Sequence, residues 1–277
     1  MPRVAVVGHV EWIEFARVPT MPKPGEIVHA TEWWEDAGGG GAVAAVQLAR
    51  LAGGAEFYTA LAEDEKGRAA KARLEELGVT VYAAPRPGEH RRGFVHLDGE
   101  HERTITILGD RIVPHGDDDL PWENLERTDA VYFTGGDVGA LQHARKARRL
   151  VATPRAYETL RASTVNLDVL VRSGTDPGEQ QAEDRLDPAP DFVVSTAGKK
   201  GGRWVGEDRT TGHWEAAELP GEPMDSYGAG DSFAAALTFG LGAGMSIDEA
   251  LELASRAGAS KLTGRAAYEN QLTAADL

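Results

Sequence analysis

At 277 residues and 42% hydrophobic content, the chain has room for one large α/β domain or two small ones, and it is too apolar to be disordered. A formal net charge of −15 argues against broad electrostatic capture of nucleic acid, but leaves open an anionic small ligand held by local charge. There is no cysteine, which excludes disulfides, thiolate nucleophiles and cysteine metal ligands.

The start, "MPRVAVVGHV", is a short apolar run without the longer apolar region and cleavage site of a signal peptide. No run approaches the roughly 20 apolar residues that span a bilayer. These features lead us to expect a soluble cytoplasmic protein with neither a membrane nor a nucleic-acid partner. "RVAVVGHV" itself is β-branched and reads as a buried strand. Residues 41–53, "GAVAAVQLARLAG", read as a helix with a glycine stop. "AEFYTAL" follows as a strand, "DEKGRAAKARLEELG" as an amphipathic helix and "VTVYAA" as another strand. Alternation of this kind predicts a parallel sheet with crossover helices. It resumes with the strand "DAVYFTG", the helix "VGALQHARKARR", the strand "LVAT", the helix "PRAYETLRAS" and the strands "LDVLV" and "PDFVVST". "GGRWVGEDRTTGHWEA" reads as a hairpin turning at Glu207-Asp208. Two helices close the chain, one from about Gly230 and one around "SIDEALELASRAGASKLTG".

Two segments interrupt this plan. Residues 10–34 and 91–108 alternate apolar and polar residues around Pro or Gly turns, and read as antiparallel strands added to the core. Together they would form a small β lid over the strand ends of a single domain spanning 1–277. Independent surface hairpins are the other reading. A lid of inserted strands leaves exposed edges that a second subunit could cover, so a homodimer through the lid is expected.

The chemistry centres on "DSYGAGDSF", residues 225–233. Gly228, Ala229 and Gly230 are small enough for backbone N–H groups to approach a ligand, and a helix beginning there adds its positive dipole end. Such a turn stabilises charge on a phosphate in transfer. A carboxylate at Asp231 would repel a resting phosphate, but it is well placed to take a proton from an attacking hydroxyl. A plain helix cap is the competing reading of Asp231.

This string resembles the C-terminal signature D-[ST]-x-G-A-G-D of the ribokinase-like, or PfkB, family of carbohydrate kinases, through Asp225, Ser226, Gly228, Ala229, Gly230 and Asp231. "GGGGAVAAVQLARLAG" is similar to the family's N-terminal glycine-rich signature. "PKPGEIVHA" and "DGEHERTI" resemble its lid strands, and "FVVSTAGKKGGRWV" its late strand and nucleotide loop. The resemblance implies a three-layer α/β fold: a mostly parallel sheet, flanking helices and a small β lid. It implies ATP- and Mg2+-dependent phosphorylation of a sugar or related alcohol, and it admits a monovalent cation. It makes Asp231 the general base and the 228–231 turn the anion hole. It lines the nucleotide site with Thr196, Gly198, Gly201, Asp225 and Ser226, and sets the acceptor against Gly39 and Gly40.

The sequence departs from the family where the acceptor binds. The usual Asn of the N-terminal signature is Val43, and the usual Asp after the first strand is Ile13. Glu11 shares the strand face of Ile13 and is the candidate substitute. The magnesium-associated N-x-x-E motif is degenerate, which leaves Asp176 and Glu179 as metal candidates; Asp176-Pro177 also reads as a turn. Asp137, at a strand end, could hold an acceptor hydroxyl or cap the next helix. Arg86, Arg91 and Arg92 could meet a phosphorylated acceptor or form a solvated lid face. Lys199, Lys200 and Arg203 could meet ATP phosphates or solvent. Asp117, Asp118 and Asp119 could form a metal cluster but read better as solvated acids, and His9 could face the acceptor but reads better as a structural histidine. Trp33 and Trp34 face opposite sides of a strand, one towards the core.

A nucleoside kinase and a non-catalytic ligand-binding protein remain the alternative functions. A dehydrogenase is disfavoured because no G-x-G-x-x-G follows the first strand, and a P-loop kinase because no G-x-x-x-x-G-K-[ST] is present.

Overall fold

The computed structural model describes residues 1–99, 103–179 and 186–277. The chain opens with β1 (Val4–Val7), whose four residues are all buried. Two inserted strands follow, β2 (Glu11–Arg17) and β3 (Glu32–Gly38), before α1 (Gly40–Ala52). Next come β4 (Ala55–Ala62), α2 (Glu65–Glu76) and β5 (Val79–Arg86), then a second inserted pair, β6 (Arg92–Leu97) and β7 (Arg103–Leu108). The alternation resumes with β8 (Ala130–Phe133), α3 (Val138–Ala144), β9 (Arg149–Ala152), α4 (Tyr157–Arg161) and β10 (Val169–Ser173). The last elements are β11 (Phe192–Thr196), β12 (Gly202–Gly206), β13 (Thr211–Trp214), α5 (Ala229–Gly242) and α6 (Ile247–Leu262).

Nine strands form one sheet in the order β13-β12-β11-β10-β9-β8-β1-β4-β5. The pairs from β5 through to β11 are parallel, and β12 and β13 add an antiparallel hairpin at one edge. Strands covered on both faces read as continuous apolar runs, which is why "VAVV" and "AVYF" carry no alternation. On one face α1, α5 and α6 pack into a core with Val4, Val6, Phe57 and Val169. On the other, α3 and α4 cover Ala5, Val7, Val131 and Phe133. The parallel sheet with crossover helices expected from the alternation is present, in the three-layer arrangement that the resemblance implies.

The helix ends follow their chemistry. The Asp64 side chain accepts the Gly67 N–H at the head of α2, and Ser246 and Glu249 form a reciprocal capping box on α6. Each such cap stabilises its helix by about 1 kcal/mol. The segment "PRAYETLRAS" gives only the short α4, after a 3-10 turn that begins at Pro154, a position where proline is tolerated.

The two inserted segments pair with each other in a four-stranded sheet of order β3-β2-β6-β7. They are not wholly antiparallel: β2 and β6, the strands that join the two insertions, run parallel from Trp12↔Arg92 to Arg17↔Leu97. Among the described residues, no helix is long and apolar enough to cross a membrane.

Candidate active site

In open parallel sheets the carboxyl ends of the strands leave a crevice, because the helices that follow diverge from it. Here those ends hold Thr134 after β8, Thr153 after β9, Ser173 closing β10 and Thr196 closing β11. All four line one cavity of about 710 Å3. The β1–β2 connection contributes His9, the start of β2 contributes Glu11, the head of α1 contributes Gly39 and Gly40, and the head of α5 contributes Gly228, Gly230 and Asp231. The small sheet closes the cavity with Ile13, Arg103, Ile105 and Ile107.

The 228–231 turn begins α5. Gly228 holds φ +80°, the left-handed region that favours glycine, and a Cβ there would meet Val43 Cγ1 at 2.9 Å. Gly228 thus lets the chain turn into α5 at the cavity, which Gly228, Gly230 and Asp231 line. The Asp231 carboxyl is pushed above its ordinary range, first by burial and then by the charge of Glu179; Arg103 and Arg155 oppose that rise.

Glu11 is buried, and Arg91 Nε lies 2.7 Å from its Oε1. Burial still raises the Glu11 carboxyl above its ordinary range. Glu11 and Ile13 do share the cavity face of β2, as strand alternation requires. His9 Nε2 is 3.9 Å from the same Glu11 oxygen. Burial, reinforced by the charges of Arg111, Arg91 and Arg155, lowers the His9 imidazole to about 3, so the ring is neutral at physiological pH. His9 Nδ1 and Thr134 Oγ1 are buried without a hydrogen-bond partner among the described residues. Buried polar atoms are rarely left so, and both belong to residues that line the cavity.

Asp176 and Glu179 also line the cavity. Arg155 clamps both, with Nη2 2.6 Å from Asp176 Oδ2 and Nε 2.6 Å from Glu179 Oε1. The other Glu179 oxygen accepts the Ser173 N–H at 2.7 Å. Carboxylates are hard-oxygen ligands of the kind magnesium takes, but Arg155 holds one oxygen of each, so a magnesium ion there would bind through water or displace the guanidinium.

Several sequence candidates lie outside the cavity. Val43 is fully buried beneath Gly228, with its carbonyl accepting from Gln271 at 3.0 Å, so it supports the turn from below. Asp137 caps α3 by accepting the Ala140 N–H at 2.8 Å and also accepts the Gly116 N–H at 2.8 Å. Ala229, Asp225, Gly198 and Gly201 do not line it either. Ser226 accepts from Arg103 through its carbonyl and its hydroxyl. Arg86 is paired with Asp118 at 2.7 Å and Arg92 with Glu14 at 3.4 Å, so of the three arginines around β6 only Arg91 reaches the cavity. Lys199 and Lys200 are exposed and, like Arg203, do not line it. Trp34 stacks on Phe15 while Trp33 is 74% exposed.

Sequence reasoning missed Arg103, Arg111 and Arg155, which come from three separate segments and carry no local motif. Arg111 Nη1 donates to the Arg155 carbonyl at 3.0 Å, and its guanidinium has no carboxylate partner within 4 Å among the described residues. It also missed Tyr227, whose hydroxyl accepts the Gly39 N–H at 2.9 Å and so ties the two glycine-rich stretches together.

A glycine-rich helix head with an adjacent acid thus lies at the strand ends of a doubly covered parallel sheet, the arrangement that the resemblance implies for a phosphotransferase acting on an alcohol. Comparison with known proteins agrees. Residues 1–170 and 174–274 match the pfkB family carbohydrate kinases, and the chain belongs to that family. It is 26% identical to the ribokinase of Bacillus subtilis (strain 168), over 93% of this chain and 92% of that protein. Its fold is similar to that of Arabidopsis thaliana ribokinase complexed with ribose and ATP, at TM-score 0.74 and 21% identity, covering 96% of this chain and 94% of that one. It is also similar to the adenosine kinase of Sinorhizobium meliloti, at TM-score 0.79 and 17% identity, covering 99% and 98%.

Proposed function

We propose that this chain transfers the γ-phosphoryl group of ATP to a hydroxyl of a sugar or sugar-like acceptor, with Asp231 as general base and the 228–231 turn as anion hole. The observation that carries this reading is the position of Asp231, in the cavity and within the first turn of α5. Asp231 takes the proton of the acceptor hydroxyl as that oxygen attacks the γ-phosphorus. The bond from phosphorus to the bridging oxygen breaks, and the pair leaves on ADP. The N–H groups of the turn hold the charge on the transferring group. Magnesium, when bound with ATP, neutralises charge on the phosphates; Asp176 and Glu179 would hold it, directly or through water. The four strands β3, β2, β6 and β7 act as a lid that excludes water.

The acceptor end runs from Glu11, His9 and Thr134 to Arg91 and Arg111. The polar anchor absent at Ile13 is replaced there by two guanidiniums, and of the two Arg91 alone has a carboxylate partner among the described residues, Glu11. Guanidinium pairs bidentately with carboxylate or phosphate. This end therefore suits an acceptor carrying an anionic substituent as well as its hydroxyls.

ADP release with ATP and Mg2+ over a panel of neutral sugars, acid sugars, sugar phosphates and nucleosides tests the reading. We expect turnover, fastest with an acid sugar or sugar phosphate. A nucleoside as best acceptor would replace the sugar assignment. Ligand binding without ADP release across the whole panel would make the chain a non-catalytic binding protein.

A further inference from the structure

Lys261 is fully buried near the end of α6. A lysine ammonium is almost never enclosed without a partner, because desolvating the charge is costly. Its Nζ lies 3.9 Å from Asp225 Oδ1, both side chains being closed to solvent, and donates to the Gly264 carbonyl at 3.2 Å. Asp225 is the acid that opens the "DSYGAGD" signature. Its Oδ1 accepts the Tyr227 N–H at 2.9 Å and its Oδ2 the Ala266 N–H at 2.6 Å. Neither Asp225 nor Lys261 lines the cavity.

These bonds tie the ammonium to the phosphate-binding turn. The Asp225–Tyr227 bond shapes the approach to Gly228, and Tyr227 in turn receives Gly39. The segment after α6 lies against the same turn: a Cβ at Gly228 would meet the Ala267 carbonyl at 3.4 Å, and Ala266 is held at φ +54°. A single positive charge thus sits in a nest of carboxylate and carbonyl oxygens just behind the anion hole. Carboxylate and carbonyl oxygens are also the ligands that hard cations take. An alkali ion bound at Asp225 would share one buried carboxylate with the ammonium, and like charges at such a separation repel strongly away from water. The monovalent cation admitted by the family resemblance therefore does not fit beside Asp225 in this chain.

We propose that Lys261 is a tethered substitute for a monovalent cation: its ammonium supplies the charge that sets Asp225, the 264–267 segment and hence the phosphate-binding turn, so the enzyme works without K+ or NH4+. The proposal rests on the kinase reading for the purpose of the turn, but its structural part is testable without turnover. Lys261 is a positioning residue and not a catalytic one.

The experiment compares KCl with choline chloride at equal ionic strength of about 0.1 M, which fixes screening at a Debye length of about 10 Å. Thermal melting and acceptor-dependent ADP release are both read. For the wild type we expect the same melting temperature and the same rate in the two salts. Lys261→Ala, which removes the ammonium and opens space, should melt lower in choline and regain melting temperature and activity saturably with K+. Lys261→Met fills the space without charge and should show no K+ response. A wild-type rate or melting temperature that rises severalfold or by several degrees with K+ overturns the proposal. So does a Lys261→Met variant equal to wild type in both readouts. Where Lys261→Ala does not fold, the wild-type and Met arms decide. Absence of ADP release with every acceptor sinks the kinase reading alone, because melting reports on the cation independently.

Discussion

Asp231 Oδ1 lies against the backbone of Gly40: a Cβ built on Gly40 would sit 2.7 Å from it. The heads of α1 and α5 thus meet at the carboxylate, and the glycine permits the meeting. Gly40→Ala must push Asp231 aside. Misplacing a reacting group by about 1 Å costs on the order of 100-fold in rate. We expect Gly40→Ala to lower kcat by about 10- to 100-fold, with the melting temperature changed little. Steady-state ADP release together with a melting curve checks this; an unchanged kcat would show that Asp231 tolerates displacement.

The glycine-rich stretch was legible in the sequence as a stretch, but its contact partner was not. Periodicity reports which face of an element is buried, and so the alternating core and its two insertions could be read from continuous apolar runs and short alternating ones. The parallel β2–β6 pairing could not, because insertions far apart in sequence carry no local signal of direction. The same holds for Arg103, Arg111 and Arg155, which converge on the cavity only through topology. Val43 looked like a lost substrate contact by position in a motif; in the structure it is packing beneath Gly228. Asp137, weighed as acceptor ligand or cap, is found capping α3.

Arg111 gives the most direct handle on the acceptor. It contacts the cavity without a carboxylate partner among the described residues, so an anionic acceptor group would be its first counter-charge. A hydrogen bond to a charged group contributes about 1.5–3 kcal/mol, which corresponds to roughly 10- to 150-fold in KM. Arg111→Ala should raise the acceptor KM by that order for an acid sugar or sugar phosphate and much less for its neutral counterpart, with the ATP KM near wild type. Equal loss for charged and neutral acceptors would remove the anionic-acceptor assignment.

The raised pKa of Asp231 has two consequences with opposite signs for activity and stability. A general base acts ionised, so kcat/KM should fall as pH drops through its raised value, placing the acid limb above the ordinary Asp value of about 3.9. For stability, a carboxyl whose folded pKa exceeds its unfolded pKa destabilises the ionised folded state. That cost is fully present above the folded value and disappears as pH falls to the unfolded one. Asp231→Asn should therefore melt higher than wild type at neutral pH, with the difference vanishing on acidification through that window. A lower melting temperature for Asp231→Asn at pH 7 would mean that the carboxylate is held by favourable contacts and not strained for function.

Whether Asp231 removes the acceptor proton is decided by kcat for acceptor-dependent ADP release in wild type and Asp231→Asn. Asn preserves shape and cannot take the proton. Loss of a general base costs about 10²- to 10⁴-fold. We expect a fall of that size in kcat, with ATP still bound and the fold intact by melting. Equal kcat in the two proteins would contradict it.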